Sequence, residues 1–300
     1  MDDWIRLNAP ALLAAELPER TAILDPILAT KSLALLYGAR GLGKTFVALG
    51  IARAAAAGES FLGWKAPRPH RVLYLDGEMA AADIRARVAA FGPPPPTLEF
   101  MLADLNRGPL LDLADPRSQM RLFAAWGDPE LVVLDNLASL AGLTTGDPDR
   151  WSELQRFLME LRRQGLAVLM VHHANKKGLQ RGSSRREDML DLVMAMRRPE
   201  GWRPIDGTRF EIHFEKARSL HGDAIQPIET RLAQPGGRMH WQWGTADEDP
   251  RLARLVALLE RGVSVAHIAD QLGVSRSLAY LLRDRARLLG RLHTPFATGD

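Results

Sequence analysis

Ser32-Leu33-Ala34-Leu35-Leu36-Tyr37-Gly38-Ala39-Arg40-Gly41-Leu42-Gly43-Lys44-Thr45 is the stretch from which the rest of the chain can be read. Its first six residues form a short apolar run that stops at glycine, the pattern of a buried strand entering a turn. From Thr45 to Ala57 the sequence is alanine-rich with no breaker before Gly58, which predicts a helix. Between the two, Gly38 to Thr45 fit the pattern G-x-x-x-x-G-K-T. Glycines there let the backbone curl so that amide hydrogens point at phosphate oxygens, and the helix start adds partial positive charge. The pattern fixes two glycines, a lysine and a hydroxyl, so ordinary residue usage produces it by chance in roughly one chain in a hundred of this length. A site for ATP and Mg²⁺ is therefore expected at Gly38, Ala39, Arg40, Gly41, Leu42, Gly43, Lys44, Thr45 and Phe46. Lys44 would reach the β and γ phosphates, and the Thr45 hydroxyl would ligate the ion.

Working outward, strands and helices alternate. Val72 to Leu75 is followed by a helix from about Ala80 to Phe91, the stiff break Pro93 to Pro96 and a strand Leu98 to Leu102. Leu131 to Leu134, the amphipathic helix Trp151 to Gln164 and the strand Ala167 to Val171 continue the pattern, that of an α/β fold with a parallel sheet buried on both faces. From Phe210 the candidate strands Phe210 to Phe214, Ile225 to Leu232 and Met239 to Trp243 are closely spaced, with a Gly-Gly turn at 236 and 237, and should extend the sheet as hairpins. Gly244 to Pro250 reads as a linker. The organisation expected is an irregular lead-in over 1–30, an ATPase domain over 31–243 and a small helical domain over 251–300.

Composition sets outer bounds. The 300 residues are 46% hydrophobic, enough for a substantial core, and formal net charge is only +3, although arginine crowds 181–198 and 251–291. Cysteine is absent, which excludes disulfides, zinc-cysteine sites and thiol catalysis. No apolar run approaches the roughly 18 residues of a membrane helix. The start Met1-Asp2-Asp3-Trp4 has neither the basic segment nor the apolar stretch of a secretory signal, so a cytoplasmic protein with no membrane partner is expected.

Two carboxylates complete the phosphate site in this reading. The strand Leu131 to Leu134 ends in Asp135, which puts an acid at the carboxyl edge of the sheet, where it would hold Mg²⁺ through water. Asn136 follows it and cannot take a proton, so the base that activates water must lie elsewhere, and Glu78, just after Val72 to Leu75, is the candidate.

These motifs are the P-loop, Val72-Leu73-Tyr74-Leu75-Asp76-Gly77-Glu78, Val132-Val133-Leu134-Asp135, Val171-His172-His173-Ala174-Asn175-Lys176, Arg181-Gly182-Ser183-Ser184 and Phe214-Glu215-Lys216-Ala217-Arg218. In that order, over roughly residues 20 to 240, the chain resembles the RecA-like P-loop ATPases, in particular the hexameric plasmid replication helicases of the RepA kind and related mobile-element ATPases. The resemblance implies a RecA-like fold and a ring of six copies acting on single-stranded DNA. It makes Glu78 the group that orients and deprotonates the attacking water and one of His172 and His173 the sensor of the γ phosphate. Lys216 and Arg218 become cations inserted into the neighbouring copy's site. Where those helicases place an arginine finger this chain has Asp191. Arg181, Arg185 and Arg186 either substitute for that finger or line a central pore and meet nucleic-acid phosphates.

The tail reads as three helices, Arg251 to Glu260, Val265 to Leu272 and Ser275 to Leu289, with Gly273 in the tight turn. Ala266, Ile268, Ala269, Leu272, Val274 and Leu278 are spaced as an inner face. Val265 to Ser275 resemble the helix-turn-helix of bacterial regulators and resolvases. That likeness implies duplex DNA approached by Ser275, Arg276, Ser277, Tyr280 and Arg283, with affinity falling as salt rises. A protein-binding helical module is the alternative use of such a tail.

Two functions follow as expectations. One is an ATP-hydrolysing nucleic-acid motor, a replicative helicase or helicase loader of a plasmid or mobile element. The other is an ATP-switched DNA-binding regulator. A metabolic kinase would need an acceptor pocket and a lid, for which the sequence shows no motif.

Overall fold

The computed structural model describes residues 5–142, 148–174, 188–199, 201–233, 237–245 and 250–288. Arg181, Arg185 and Arg186 lie outside them, as do most of the expected linker and Leu289. After helix α1 (Ala9–Ala14) come β1 (Ala22–Leu24), β2 (Leu28–Ala29), β3 (Leu33–Gly38), α2 (Lys44–Ala57), β4 (Ser60–Phe61), β5 (Trp64–Lys65) and β6 (Val72–Asp76). The chain continues with α3 (Ala81–Ala90), β7 (Leu98–Leu102), α4 (Pro116–Ala125), β8 (Leu131–Asp135), α5 (Leu137–Leu140), α6 (Pro148–Arg163) and β9 (Ala167–His173). Then follow β10 (Leu192–Arg197), β11 (Thr208–Ala217), β12 (Ile228–Ala233), β13 (His240–Thr245), α7 (Pro250–Glu260), α8 (Val265–Leu272) and α9 (Arg276–Leu288).

Among the described residues the main sheet has nine strands in the order β13-β12-β11-β10-β3-β9-β8-β6-β7. β10, β3, β9, β8, β6 and β7 run parallel, and β11, β12 and β13 extend the sheet as antiparallel hairpins beside β10. This is an α/β core in which a mostly parallel sheet is covered by helices on both faces. Side chains of the parallel strands alternate between two covered faces. Ala34, Leu36, Tyr74, Val133, Leu169 and Val171 pack on the side of α2, whereas Leu35, Tyr37, Leu75, Leu134 and Met170 pack with Leu154, Phe157 and Leu158 of α6. Burial on both faces explains why these strands read as continuous apolar runs.

Register aligns the carboxyl ends of the strands. Gly38 pairs with His173, Asp76 with Asp135 and Asp135 with Val171, so β3, β9, β8 and β6 end along one edge. Gly38 is required at its position, because a Cβ there would lie 2.7 Å from the Met196 carbonyl oxygen of β10.

Two readings need correction. Residues 22–29, expected within an irregular lead-in, form the β1–β2 pair, with Ile23, Leu24 and Leu28 buried in the core. β10 was not expected at all, yet it lies directly beside the P-loop strand, pairing Leu192 with Ala34 and Met196 with Gly38. The tail helices match their expected bounds closely. Leu252, Leu255, Ile268, Ala269, Ala279, Leu282 and Ala286 form a small core of their own. Gly273, at φ 64°, ends α8 in the left-handed conformation with its N–H on the Ala269 and Asp270 carbonyls. Among the described residues no helix is long and apolar enough to cross a membrane.

Candidate active site

The loop from Gly38 to Gly43 carries β3 into α2. Gly41 (φ 75°) and Gly43 (φ 98°) adopt left-handed backbone that a side chain resists. Gly43 caps α2 without a side-chain hydrogen bond, which leaves the amides of the first turn directed at whatever anion enters. Lys44 is buried, and its Nζ donates to the carbonyls of Gly38 (2.9 Å) and Ala39 (2.8 Å). Burial lowers its ammonium to about 8, against the pull of Asp135 and Glu78. A triphosphate would compete for that amine and raise it again. Leu42 is buried in the core and offers the ligand only its backbone, while the Phe46 ring carries the Arg87 guanidinium 4.6 Å from its centroid.

Opposite the loop stand the acids. Asp135 is 4% exposed; its Oδ2 accepts from the Tyr74 hydroxyl at 2.7 Å, and its carboxylate is hydrogen-bonded to the Thr45 side chain. Burial pushes its carboxyl above the ordinary carboxylate range, and the two hydroxyls work in the opposite direction. Asp76 is also buried and raised by burial; its Oδ1 accepts the amides of Glu78 (3.0 Å) and Met79 (2.6 Å), a turn that fixes the backbone of Glu78.

Glu78 meets two residues from the next strands. The Asn136 side-chain amide donates to Glu78 Oε2 and lies 3.4 Å from His173 Nε2, which is itself 3.5 Å from Glu78 Oε2. Asn136 Oδ1 also accepts the Ser139 amide, anchoring the bridge to α5. Burial, then the neighbouring Lys44, push the His173 imidazole below its ordinary value, so it faces the site neutral at pH 7. Of the two histidines, His173 lines the cleft; His172 pairs with Tyr37 one position earlier in β9 and faces the opposite side.

Gly41, Gly43, Lys44, Thr45, Phe46, Asp76, Glu78, Met79, Arg87, Asp135, Asn136, His173 and Thr208 thus enclose a cleft of about 330 Å³. The Thr45 hydroxyl and the buried Asp135 carboxylate, hydrogen-bonded to each other, form a hard-oxygen pair that would hold Mg²⁺, whose charge would offset that of the phosphates. Asp76, Asn136, Tyr74, Arg87 and Thr208 were missed as site residues. Tyr74 and Asp76 lie in the quoted motif and were legible, whereas Thr208 reaches the cleft only because β11 returns beside β10.

Lys216 and Arg218 are not in this cleft. Thr208, at the start of β11, lines it, but Ala217 pairs with Leu192 at the amino edge of the parallel strands. Eight residues of strand separate Thr208 from Lys216, about 27 Å at the usual rise. There Lys216 and Arg218 both donate to the Asp188 carbonyl. Asp191 is buried: it accepts the Leu33 amide at 2.9 Å and pairs with Arg162 at 3.3 Å, tying β10 to the start of β3. On α9, Arg276, Ser277 and Tyr280 are exposed, and Arg283 lies 4.9 Å over the Tyr280 ring and pairs with Asp284. Ser275 accepts the Leu278 amide as the cap of α9.

The family model described as AAA domain matches residues 5–178, more than half of the chain and all of the cleft except Thr208. No curated protein matches the sequence.

Proposed function

The chain belongs to the AAA domain family, and from that premise of a nucleotide-binding P-loop ATPase we propose an ATP-driven nucleic-acid motor that works as a ring of copies, a replicative helicase or its loader. The observation that carries this reading is the placement of Lys216 and Arg218. Two cations on the strand that begins at the phosphate cleft stand about 27 Å from it, beyond the reach of any side chain. Cations able to neutralise a transferred phosphoryl group accelerate its transfer by 10³–10⁵. We read this position as one from which they serve the site of another copy, as the likeness to ring helicases implies. Within the cleft, Lys44 binds phosphates, Thr45 and Asp135 take Mg²⁺, Glu78 activates water, and His173 reports the γ phosphate through Asn136.

The tail supports a second reading, an ATP-switched regulator. α8, the Gly273 turn and α9 follow one another in the order a helix-turn-helix needs, and Arg276, Ser277 and Tyr280 are exposed on the second helix. One experiment separates the two. ATP turnover is measured with and without single-stranded DNA in the full chain and in the variant Arg276→Ala/Tyr280→Ala/Arg283→Ala. A motor keeps its stimulation by DNA in the variant, whereas a regulator loses it. Equal turnover with and without DNA in the unsubstituted chain contradicts the motor.

A further inference from the structure

The phosphate cleft is furnished for phosphates and an ion, with loop backbone, Lys44 and the acids Asp76, Glu78 and Asp135. Among the described residues its one aromatic ring is Phe46, and the Arg87 guanidinium already stacks there. At about 330 Å³ it stands at the lower end of the roughly 300–1,000 Å³ usual for pockets that enclose a whole small ligand. The nucleoside end of a bound triphosphate must therefore rest on whatever adjoins the cleft.

The connection from β10 to β11 adjoins it. Met196 pairs with Gly38, so β10 leaves the sheet where the phosphate loop begins. Beyond that point the Arg198 guanidinium lies 3.7 Å from the centroid of the Trp202 ring. The indole Nε1 donates to the Gly207 carbonyl at 3.2 Å. Gly207 is bonded to Thr208, which lines the cleft and whose methyl would lie 3.2 Å from a Cβ added at Gly43. Summed bond lengths put the indole nitrogen at most about 7 Å from the Thr208 Cα. The stack is also held in place by its own loop. The Trp202 amide donates to the Pro199 carbonyl (3.2 Å), the Gly207 amide to the Pro204 carbonyl (3.1 Å), and Asp206 accepts the Arg203 amide at 2.8 Å. Arg198 is nevertheless exposed, Trp202 is only half-buried, and among the described residues Arg198 pairs with no carboxylate.

We infer that the stacked pair Arg198 and Trp202 is the platform on which the nucleobase of the triphosphate rests. A base is a flat π system, and it stacks on aromatic rings and guanidinium planes whatever its edge carries. A platform already ordered before the ligand arrives costs little freedom on binding. The same chemistry would suit a base of a single DNA strand, but position favours the nucleotide. Phosphates held in the cleft tether their own base beside the stack, whereas a strand has to be brought there. The inference rests on the reading that the cleft binds a nucleoside triphosphate, and adds where the base lies.

Two ligands that share phosphates and differ in the base provide the test. Trp202→Ala and Trp202→Phe are made in the full chain, and calorimetry with Mg²⁺ compares ATP with inorganic tripolyphosphate. The inference expects Trp202→Ala to weaken ATP by about tenfold or more, the usual worth of a base stacked on an aromatic ring. Tripolyphosphate should bind that variant as it binds the unsubstituted chain, and Trp202→Phe should restore most of the ATP affinity. Unchanged ATP affinity in Trp202→Ala, an equal loss for both ligands, or a Phe variant as weak as the Ala variant each overturn it. A parallel titration with oligothymidylate covers the other source of a base: a loss there with ATP unaffected assigns the stack to a DNA strand and overturns the inference. If the unsubstituted chain binds tripolyphosphate and ATP equally well, the platform fails and the phosphate site stands. If it binds neither, the phosphate site fails and the platform with it.

Discussion

Lys44 concentrates the electrostatics of the site in one amine. Burial brings its ammonium to about 8, and a bound triphosphate, adding negative charge beside it, must raise that value. Nucleotide affinity is then full below pH 8 and falls above it, by at most about tenfold per pH unit, until the bound-state value is passed. The stability of the unliganded chain changes the other way. Its lysine is depressed relative to the unfolded value of 10.5, so the unfolded state binds more protons between pH 8 and 10.5 and stability rises across that window. Titration calorimetry with MgATP from pH 7 to 9.5 checks the first trend; flat affinity over that range contradicts it. At the same scale, Glu78→Gln removes the base but keeps the hydrogen-bonding outline. It should retain ATP binding and lower turnover by about 10²–10⁴-fold. Full turnover in that variant, read in a steady-state assay, would refute the assignment.

Elements explain why these residues converge. β3, β9, β8 and β6 end in register, and that edge gathers the P-loop, His173, Asp135 and Asp76 from four separated stretches of sequence. Gly38 sits where β3 presses on β10. Gly38→Ala would drive a methyl to 2.7 Å from a backbone carbonyl of β10, so the two strands must part. The expected loss is about 1–3 kcal/mol in denaturant unfolding, with weakened nucleotide binding because the loop starts at that residue. Much of this level was legible. The β3 strand, the loop and α2 follow from an apolar run ending at glycine and an alanine-rich stretch, and the hairpins β11–β13 follow from short spacing. β10 escaped notice because Leu192 to Met196 is a short run inside an arginine-crowded stretch, although Asp191 before it and Pro199 and Gly201 after it are turn signals. β1 and β2 escaped because they hold three and two residues, and their burial comes from packing on α2 rather than from any periodicity. The bridge from Asn136 to Glu78 spans 58 positions and exists only because β8 lies beside β6.

For the whole molecule the deciding feature is separation. The cleft holds the Gly38–Thr45 loop, the buried Asp135 and Glu78, while Lys216 and Arg218, which we propose complete it, lie at the far edge of the same sheet. The proposed motor would work through its neighbours, and the sequence could name Lys216 and Arg218 only through resemblance, since a basic pair closing a strand is ordinarily a solvated end. Complementation tests the claim most directly. Glu78→Gln lacks the base and keeps the cations; Lys216→Ala/Arg218→Ala keeps the base and lacks them. Each alone should be nearly inactive, the second by about 10³-fold or more. Mixed in equal amounts and allowed to reassemble, they should recover up to about a quarter of full turnover, because one site in four then joins an intact base to a neighbour with intact cations. Near-normal turnover by Lys216→Ala/Arg218→Ala alone, or no recovery on mixing, would contradict the account.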